Sequence, residues 1–274
     1  MTRWAFLGPA GTHSEEALMS LEEAPAEEPI GCLTIEEVFA TVEAGDAELG
    51  IVPIENSVEG SVNATLDALA FDTDLHIRRE IVRDIHNALI VAPGVKERDI
   101  TTIRSHPHAT AQCRRWLAKH LPGRPVLAAN STAEAVQHAV SEPGVAAVGT
   151  ALAAELYGGV VLRRPIEDFR GNQTRFIVIG RGICERTGDD KTSLALFIRQ
   201  NKPGALLMIL SEFAYGQINL TKIQSRPTKK QLGEYMFFVD LEGHISDPEV
   251  SLALDCLRLK LRTVKVLGSY PRAK

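Results

Sequence analysis

The sequence predicts an α/β protein in two parts: a larger part with two similar lobes, and a smaller C-terminal part with a ferredoxin-like order of elements. Three observations lead there. Segments 34–54 and 131–149 share one plan, a capped helix, a short turn and an apolar strand. The texture changes after residue 180, where "GRGICERTGDDK" is polar and reads as a linker. Beyond it the patterns run strand, helix, strand, strand, helix, strand, which is the βαββαβ order.

Taken in order, residues 3–8 read as a short strand that ends in Gly8-Pro9-Ala10-Gly11. Thr12 and Glu15 have capping-box spacing, so a helix is expected to start there. Thr34 and Glu37 repeat the device before "IEEVFATVEAG", and Gly45 is placed to stop that helix. The buried strand "GIVPI" comes next, then a polar turn, Glu55-Asn56-Ser57 with Glu59 and Gly60 close behind. "HIRREIV" and "HNALIVA" read as strands, and "ITTIRSHP" as a strand entering a turn. "ATAQCRRWLAKHL" reads as one helix, with Ala109, Cys113, Trp116 and Leu117 on a single stripe. Ser131 and Glu134 form a third capping box, and after Pro143-Gly144 comes the apolar strand "VAAVG". The C-terminal part is expected as strand Ser193–Ile198, helix Gly204–Tyr215, strands Gln217–Ser225 and Tyr235–Leu241, helix Pro248–Leu261 and strand Val264–Leu267.

Composition narrows the function. The 274 residues have room for roughly two domains at ~100–200 residues each. A formal net charge of −5 argues against nucleic-acid binding, which needs a basic face. Cys32, Cys113, Cys184 and Cys256 form no C-x-x-C pair and read as reduced core thiols. No stretch reaches the ~18 apolar residues of a membrane span, and the N-terminus lacks a signal-peptide pattern. A cytoplasmic location is expected.

Four polar clusters sit at strand-to-helix junctions or strand starts: residues 8–15, 53–61, 105–113 and 172–176. In open α/β sheets the ligand crevice lies at the carboxyl ends of strands. The last cluster precedes the strand "FIVIG", so Thr174 and Arg175 are expected to reach the crevice from the other side. None of the clusters has metal-ligand spacing, and neither a dinucleotide fingerprint nor a Walker loop is present. Hydroxyls, amides and helix starts without a metal suit carboxylates and phosphates. Each cluster also has a plain reading: Thr12 as a helix cap, Glu55 paired with a neighbouring cation, Arg175 as a surface charge, and His13, His106 and His108 as solvated loop residues.

At these residues the chain resembles the prephenate dehydratase family. Gly8-Pro9-Ala10-Gly11-Thr12-His13-Ser14-Glu15, Pro53-Ile54-Glu55-Asn56-Ser57, Ser105-His106-Pro107 with Ala111-Gln112-Cys113, and Asn172 with Thr174-Arg175-Phe176 are similar to its motifs, in the expected order. The C-terminal part resembles an ACT domain, an amino-acid-binding regulatory unit, through "PGALLMIL" at 203–210 and "INLTKIQSRP" at 218–227. Two positions depart from the family pattern: His108 replaces a glutamine, and Gln224 replaces the acid of the usual Glu-Ser-Arg-Pro.

The resemblance implies a two-lobed catalytic region like a type II periplasmic binding protein over 1–182, with lobe 1 at about 1–77 and 155–180 and lobe 2 at about 78–154. An ACT domain at 190–274 completes the expected fold. No chorismate mutase helices precede the first motif, so the monofunctional form is expected. It further implies the conversion of prephenate to phenylpyruvate in phenylalanine biosynthesis, with no metal or cofactor. Thr174, Arg175, Asn56, Ser57 and Glu55 would be catalytic. Thr12, His13, His106, Gln112, Asn172 and Phe176 would line the substrate. L-phenylalanine would act as effector near Gly204, Ala205, Leu206, Leu207, Asn219, Gln224 and Ser225, in a homodimer or homotetramer joined through the ACT domain. Arogenate dehydratase, and a non-catalytic sensor of keto or amino acids, are the alternative readings.

Overall fold

The computed structural model describes residues 2–22, 27–229 and 234–273. In chain order the elements are β1 (Trp4–Leu7), α1 (His13–Met19), β2 (Ile30–Cys32), α2 (Ile35–Ala44), β3 (Leu49–Asn56), β4 (Gly60–Ser61) and α3 (Asn63–Asp67), which runs into a π turn at Ala68–Asp72. Next come β5 (His76–Asp84), β6 (Ala88–Val91), a 3₁₀ turn at Glu97–Asp99, β7 (Thr102–Ser105), α4 (Pro107–Gln112), α5 (Arg114–His120), β8 (Val126–Ala128), α6 (Thr132–Ser141), β9 (Val145–Gly149), α7 (Ala151–Tyr157), β10 (Val160–Arg163) and β11 (Gln173–Gly180). The last six are β12 (Asp190–Phe197), α8 (Ala205–Tyr215), β13 (Leu220–Pro227), β14 (Tyr235–Glu242), α9 (Pro248–Lys260) and β15 (Thr263–Pro271). The chain divides into two compact units, 1–62 with 82–176, and 63–81 with 177–274. Strands β5 and β11 each contribute residues to both.

The first unit holds two lobes of one design. In one, β2, β1 and β3 lie side by side and parallel, with the opening residues of β11 next to β3. In the other the order is β8-β7-β9-β6-β10. The two orders correspond as β2-β1-β3-β11 and β8-β7-β9-β6: three parallel strands in the order edge, centre, next, then a strand that joins from the other lobe, with β10 added beyond β6 in the second. This is the two-lobed arrangement expected of a type II binding-protein fold. Ile51, Val52, Ala146, Ala147 and Val148 are fully buried, so the central strands are covered on both faces and read as unbroken apolar runs. Two clusters fill the second lobe, one around Leu89, Ile103 and Val148, the other around Ile90, Val136 and Ala147.

The caps show which local signals held. Thr34 Oγ1 accepts from the Glu37 N–H at 3.1 Å and the Glu37 carboxylate accepts from the Leu33 N–H at 2.7 Å. Ser131 and Glu134 repeat this at 2.9 Å, with the Asn130 N–H as the second donor at 2.6 Å. Gly45 ends α2 at φ 83°, as its sequence position predicts. Thr12 departs from expectation. It stands at the N-cap of α1 but makes no capping bond; its hydroxyl donates to Leu7 O at 3.0 Å instead, and Glu15 takes the Gly11 N–H. The single helix expected over 109–121 is two. It breaks at Cys113 because Asp168 accepts the N–H groups of Arg115 and Trp116, both at 2.8 Å, and so caps a new helix from outside. Burial, with Glu167 and Asp168 nearby, pushes the Cys113 thiol far above its usual range, which leaves it protonated and inert.

The second unit carries the antiparallel order β13-β14-β12-β15 with α8 and α9 packed on one face around Leu194, Ile209, Phe213, Val239 and Leu254. This is the expected βαββαβ order; β15 runs longer than expected because it pairs with β12 as far as Pro271, and at Gly268 it also meets β5, parallel, at Ile77. A Cβ at Gly268 would stand 2.4 Å from Ile77 O, so only glycine permits this approach. Glu80 is buried on Lys191 Nζ, at 2.7 and 2.8 Å, and also accepts the Ala273 N–H at 3.0 Å.

Asp190 opens β12 in a buried site. Burial raises its pKa, but bonds from the Thr187 hydroxyl and from the Thr187 and Gly188 N–H groups outweigh that, and the carboxyl is held below its ordinary value. A depressed folded pKa stabilises above the unfolded value of about 3.9 and is lost as pH falls through the folded one. Asp190→Asn should therefore be less stable than the parent at pH 7, and the gap should shrink below about pH 4. Melting temperature against pH reads this, and a gap that is constant with pH would contradict it.

Candidate active site

The polar turn at the end of β3 is a hairpin. β4 folds back on β3, pairing Asn56 with Gly60 and Glu55 with Ser61, and Gly60 takes the positive φ of 84° that the turn requires. Inside this turn the Asn56 Oδ1 accepts the N–H groups of Val58 and Glu59, each at 2.9 Å. Backbone N–H groups can only donate. They therefore fix which end of the Asn56 amide is oxygen, and its Nδ2 must face the other way.

That orientation propagates. Asn56 Nδ2 donates to Asn172 Oδ1 at 2.8 Å, to Thr174 Oγ1 at 2.9 Å and to Gln173 O at 3.2 Å. With its oxygen spent, Asn172 turns Nδ2 to Gln112 Oε1 at 3.0 Å. Gln112 Oε1 also receives Asn87 Nδ2 at 3.5 Å. The result is a chain of amides of one polarity that runs from the β3 turn of one lobe to α4 of the other. Asn87, Asn172, Thr174 and Gln112 are exposed by only 1, 3, 8 and 9 %. Two donors are left unspent by the relay: the Thr174 hydroxyl, whose oxygen already accepts from Asn56, and the Gln112 Nε2.

The remaining expected residues take varied places. Ser57 pins the start of β11, its Oγ accepting from the Gln173 N–H at 2.9 Å and its N–H donating to Gln173 O at 2.8 Å. β11 thus begins where β3 ends, which is how Thr174 reaches the strand-end region from the other side. Arg175 is not a surface charge: it is 11 % exposed, with Nη1 3.7 Å from Glu55. Strand alternation puts this pair on the face opposite Asn56 and Thr174. Phe176 is 2 % exposed and anchors β11 in the core on the same face as Thr174. Thr12 serves the β1–α1 turn. His13 bonds Glu16 at 2.9 Å and lines a cavity of about 630 Å³ with Arg83, His86, Glu155 and Arg164, which adjoins the relay at Gln173. His106 lies outside the relay, in a cavity of about 420 Å³ with Arg104, Asn130 and His138. Burial, and then the neighbouring His108, hold it below the usual histidine pKa.

The Gly-Pro-Ala-Gly segment acts as a clasp between the lobes. Thr150 donates to Gly11 O at 2.6 Å and Tyr157 to Ala10 O at 2.8 Å. Gly11 has φ 87°, and a Cβ there would press within 2.9 Å of Ala153. Sequence reading missed Thr150, although a hydroxyl directly after the buried strand "VAAVG" is a cap signal. It also missed Asn87, Glu167 and Asp168. In the second unit a cavity of about 650 Å³ is lined by Gly204, Ala205, Leu206, Leu207 and Ser225 with Tyr235 and Phe237; Asn219 and Gln224 are not in its lining.

Asn56→Asp keeps the acceptor for the turn but removes both amide hydrogens. Two buried acceptors then lose a donor, at about 1–3 kcal/mol each. The urea midpoint should fall accordingly, while Asn56→Ala, which also frees the turn, should fall further. A parent-like midpoint for Asn56→Asp would mean that the relay is not formed.

Comparison with known proteins agrees with this architecture. A family model described as Prephenate dehydratase matches residues 4–183, and one described as ACT domain matches residues 193–254. The prephenate dehydratase of Mycolicibacterium vanbaalenii is 42 % identical over 282 aligned residues, covering 97 % of this chain and 90 % of that protein. The crystal structure of a prephenate dehydratase from Arthrobacter aurescens in complex with L-Phe superposes with a TM-score of 0.92 at 41 % identity, over 98 % of this chain and 90 % of that one. A protein described as a novel type of quorum-quenching acylase superposes with a TM-score of 0.86 at 30 % identity, over 98 % of each chain. With the dehydratase model spanning the two lobes and the ACT model most of the C-terminal part, the chain belongs to the prephenate dehydratase family.

Proposed function

We propose that the protein is a carbon–oxygen lyase that converts prephenate to phenylpyruvate. One observation carries the reading: the Thr174 hydroxyl, on a branch of the amide relay, already accepts from Asn56, which leaves its hydrogen as a donor. The reaction needs such a donor. The bond from the ring to its carboxylate breaks, releasing carbon dioxide, and its electron pair enters the ring. The ring C–O bond breaks, and the departing hydroxide takes up one proton to leave as water. Aromatisation supplies the driving force, and a positioned donor to the leaving oxygen contributes about 10²–10⁴-fold. A threonine hydroxyl is too weak an acid to give its proton outright, so Thr174 donates a hydrogen bond and solvent completes the transfer.

Gln112 Nε2 is the second outward donor and suits a substrate carboxylate or carbonyl. Arg175 is paired with Glu55 on the opposite face, so it does not stand as a lone cation before the dianion. Ser57 and Asn172 hold the frame, and Thr12 the β1–α1 turn. The acylase neighbour marks another chemistry, but a nucleophilic Thr174 would need a base, and Asn56 offers its oxygen only a donor. The catalytic region is assigned to 1–182 and the regulatory domain to 190–274; the expected lobe bounds, about 1–77 with 155–180 and 78–154, are corrected at one point, because β10 (Val160–Arg163) pairs with β6 and so carries the second lobe past 154. Arogenate, the amino analogue, is distinguished by comparing the two substrates directly.

L-phenylalanine is assigned to the cavity lined by Gly204, Leu206, Leu207 and Ser225. The support is the ACT match and the L-Phe bound by the Arthrobacter relative. Leu206 and Leu207 are 39 and 67 % exposed, an apolar face that suits a second copy in a homodimer or homotetramer.

Two measurements test these assignments. Thr174→Val should lower kcat by about 10²–10³-fold with a smaller change in KM, as loss of a transition-state donor does. A folded valine variant within threefold of the parent would remove Thr174 from the mechanism. L-phenylalanine should bind the full-length protein in calorimetry and change its turnover by about 5–150-fold. Leu207→Asp should weaken that binding at least tenfold. Absence of both heat and kinetic effect in the parent would end the assignment of phenylalanine as effector.

A further inference from the structure

We propose that Asn87 is a positioning residue of the active site: its side-chain amide shares the Gln112 carbonyl with Asn172 and so holds the Gln112 NH₂ group outward. The inference rests on the reading that the relay is where turnover occurs.

Asn87 stands at the head of β6 and is fixed there by its backbone. Its N–H donates to the buried Glu167 carboxylate at 3.0 Å, and its carbonyl accepts from the Ile166 N–H at 3.0 Å. Its side chain is sealed, at 1 % exposure. Polarity set at Val58 and Glu59 leaves Gln112 Oε1 facing inward, so Asn87 can approach it only with Nδ2; the other orientation would oppose two carbonyl oxygens. The consequence is that Asn87 Oδ1 is buried with no hydrogen-bond partner among the described residues. Such an acceptor destabilises a protein, and a leucine, with the same branching at Cγ, would avoid the cost. A residue kept only for packing has no reason to be an asparagine here.

What the asparagine supplies is a second constraint on Gln112. The terminal torsion of a glutamine is broad and roughly two-fold, so one bond to Oε1 leaves the amide free to rock. Two donors from different directions, Asn172 and Asn87, fix the plane. The two Nε2 hydrogens then have a set direction before any substrate arrives, which is pre-organisation of a donor.

The test uses the full-length protein with Asn87→Leu, Gln112→Ala and the double variant. Asn87→Leu should melt no lower than the parent, because the orphan acceptor is gone. Its kcat should nevertheless fall by about 10–100-fold, the usual effect of a misplaced group, with KM nearly unchanged. In the Gln112→Ala background the leucine should cost nothing further. Parent-like turnover of Asn87→Leu, a full additional loss on Gln112→Ala, or stability and turnover falling together would each overturn the inference. If the leucine variant does not fold, Asn87→Ala enters the same cycle. Should Gln112→Ala itself leave turnover intact, the site reading fails separately. The positioning is then read by NMR from the side-chain amide signals that Gln112→Ala removes: they shift in Asn87→Leu if Asn87 orients Gln112, and unmoved signals overturn it.

Discussion

Two backbone N–H groups in a hairpin turn decide the polarity of the whole site. Val58 and Glu59 bind the Asn56 oxygen, and every amide beyond it inherits its orientation in sequence, to Asn172, Gln112 and Asn87, with Thr174 as a branch. In a buried setting such a chain is worth more than separate pairs, because each bond polarises the next and no member can rotate alone. This explains why the end of a buried strand gathers amide, hydroxyl and carboxylate groups in a few residues. The turn makes the orienting N–H groups, the amide reads them, and the return of β11 beside β3 puts the hydroxyl within reach.

The same relay is also a joint. Asn56 lies in the first lobe and Gln112 in the second, and Asn172, on the segment returning from the second lobe to the first, links them. A separate clasp at Gly11, Thr150 and Tyr157 holds the lobes at another point. If the lobes part, the Asn172–Gln112 bond opens and water takes both groups. The Asn172–Gln112 bond therefore ties the orientation of the Gln112 amide to contact between the lobes, whereas Thr174 is oriented by Asn56 within the first lobe. The acids at Glu167 and Asp168 serve this geometry from behind. Glu167 holds the Asn87 N–H, while Asp168 caps α5 and its own N–H binds Gln112 O at 2.7 Å.

Much of this was legible from residues alone, and the rest fails for identifiable reasons. Local signals worked where the partner is three residues away, as at Thr34–Glu37 and Ser131–Glu134. They failed where a distant group competes: Thr12 turned to Leu7, and Asp168, more than fifty residues away, broke a helix whose apolar stripe was continuous through Cys113. The grouping of Asn56, Asn172, Gln112 and Thr174 came from motifs read together. Their division of labour did not, because polarity depends on backbone N–H groups that carry no sequence signature. Phe176 and Arg175 adjoin Thr174 in the chain, yet one anchors the core and the other faces away. A motif names a neighbourhood; strand alternation then separates Arg175 from Thr174, while Phe176 shares the Thr174 face and differs from it by its deeper burial. Asn87 escaped notice because a single amide at the head of an apolar strand looks like any strand boundary.

That sorting bears on how a site of this kind treats charge. The relay groups are neutral, and the nearby ion pair, Arg175 with Glu55, sits on the other face of the same strands with no net charge. A lone buried guanidinium would bind a dianion firmly in the ground state and in the transition state alike, which lowers KM without raising kcat. Fixed dipoles act differently. Thr174 and Gln112 present hydrogens whose direction is set before binding, and their stabilisation grows as negative charge builds on the leaving oxygen. On the proposed reaction the ring hydroxyl starts neutral and ends as departing hydroxide, so a pre-aimed neutral donor gains most at the point where the bond breaks. Pairing the arginine with a glutamate, and aiming the hydroxyl through an amide locked to the backbone, thus favour turnover over tight substrate binding.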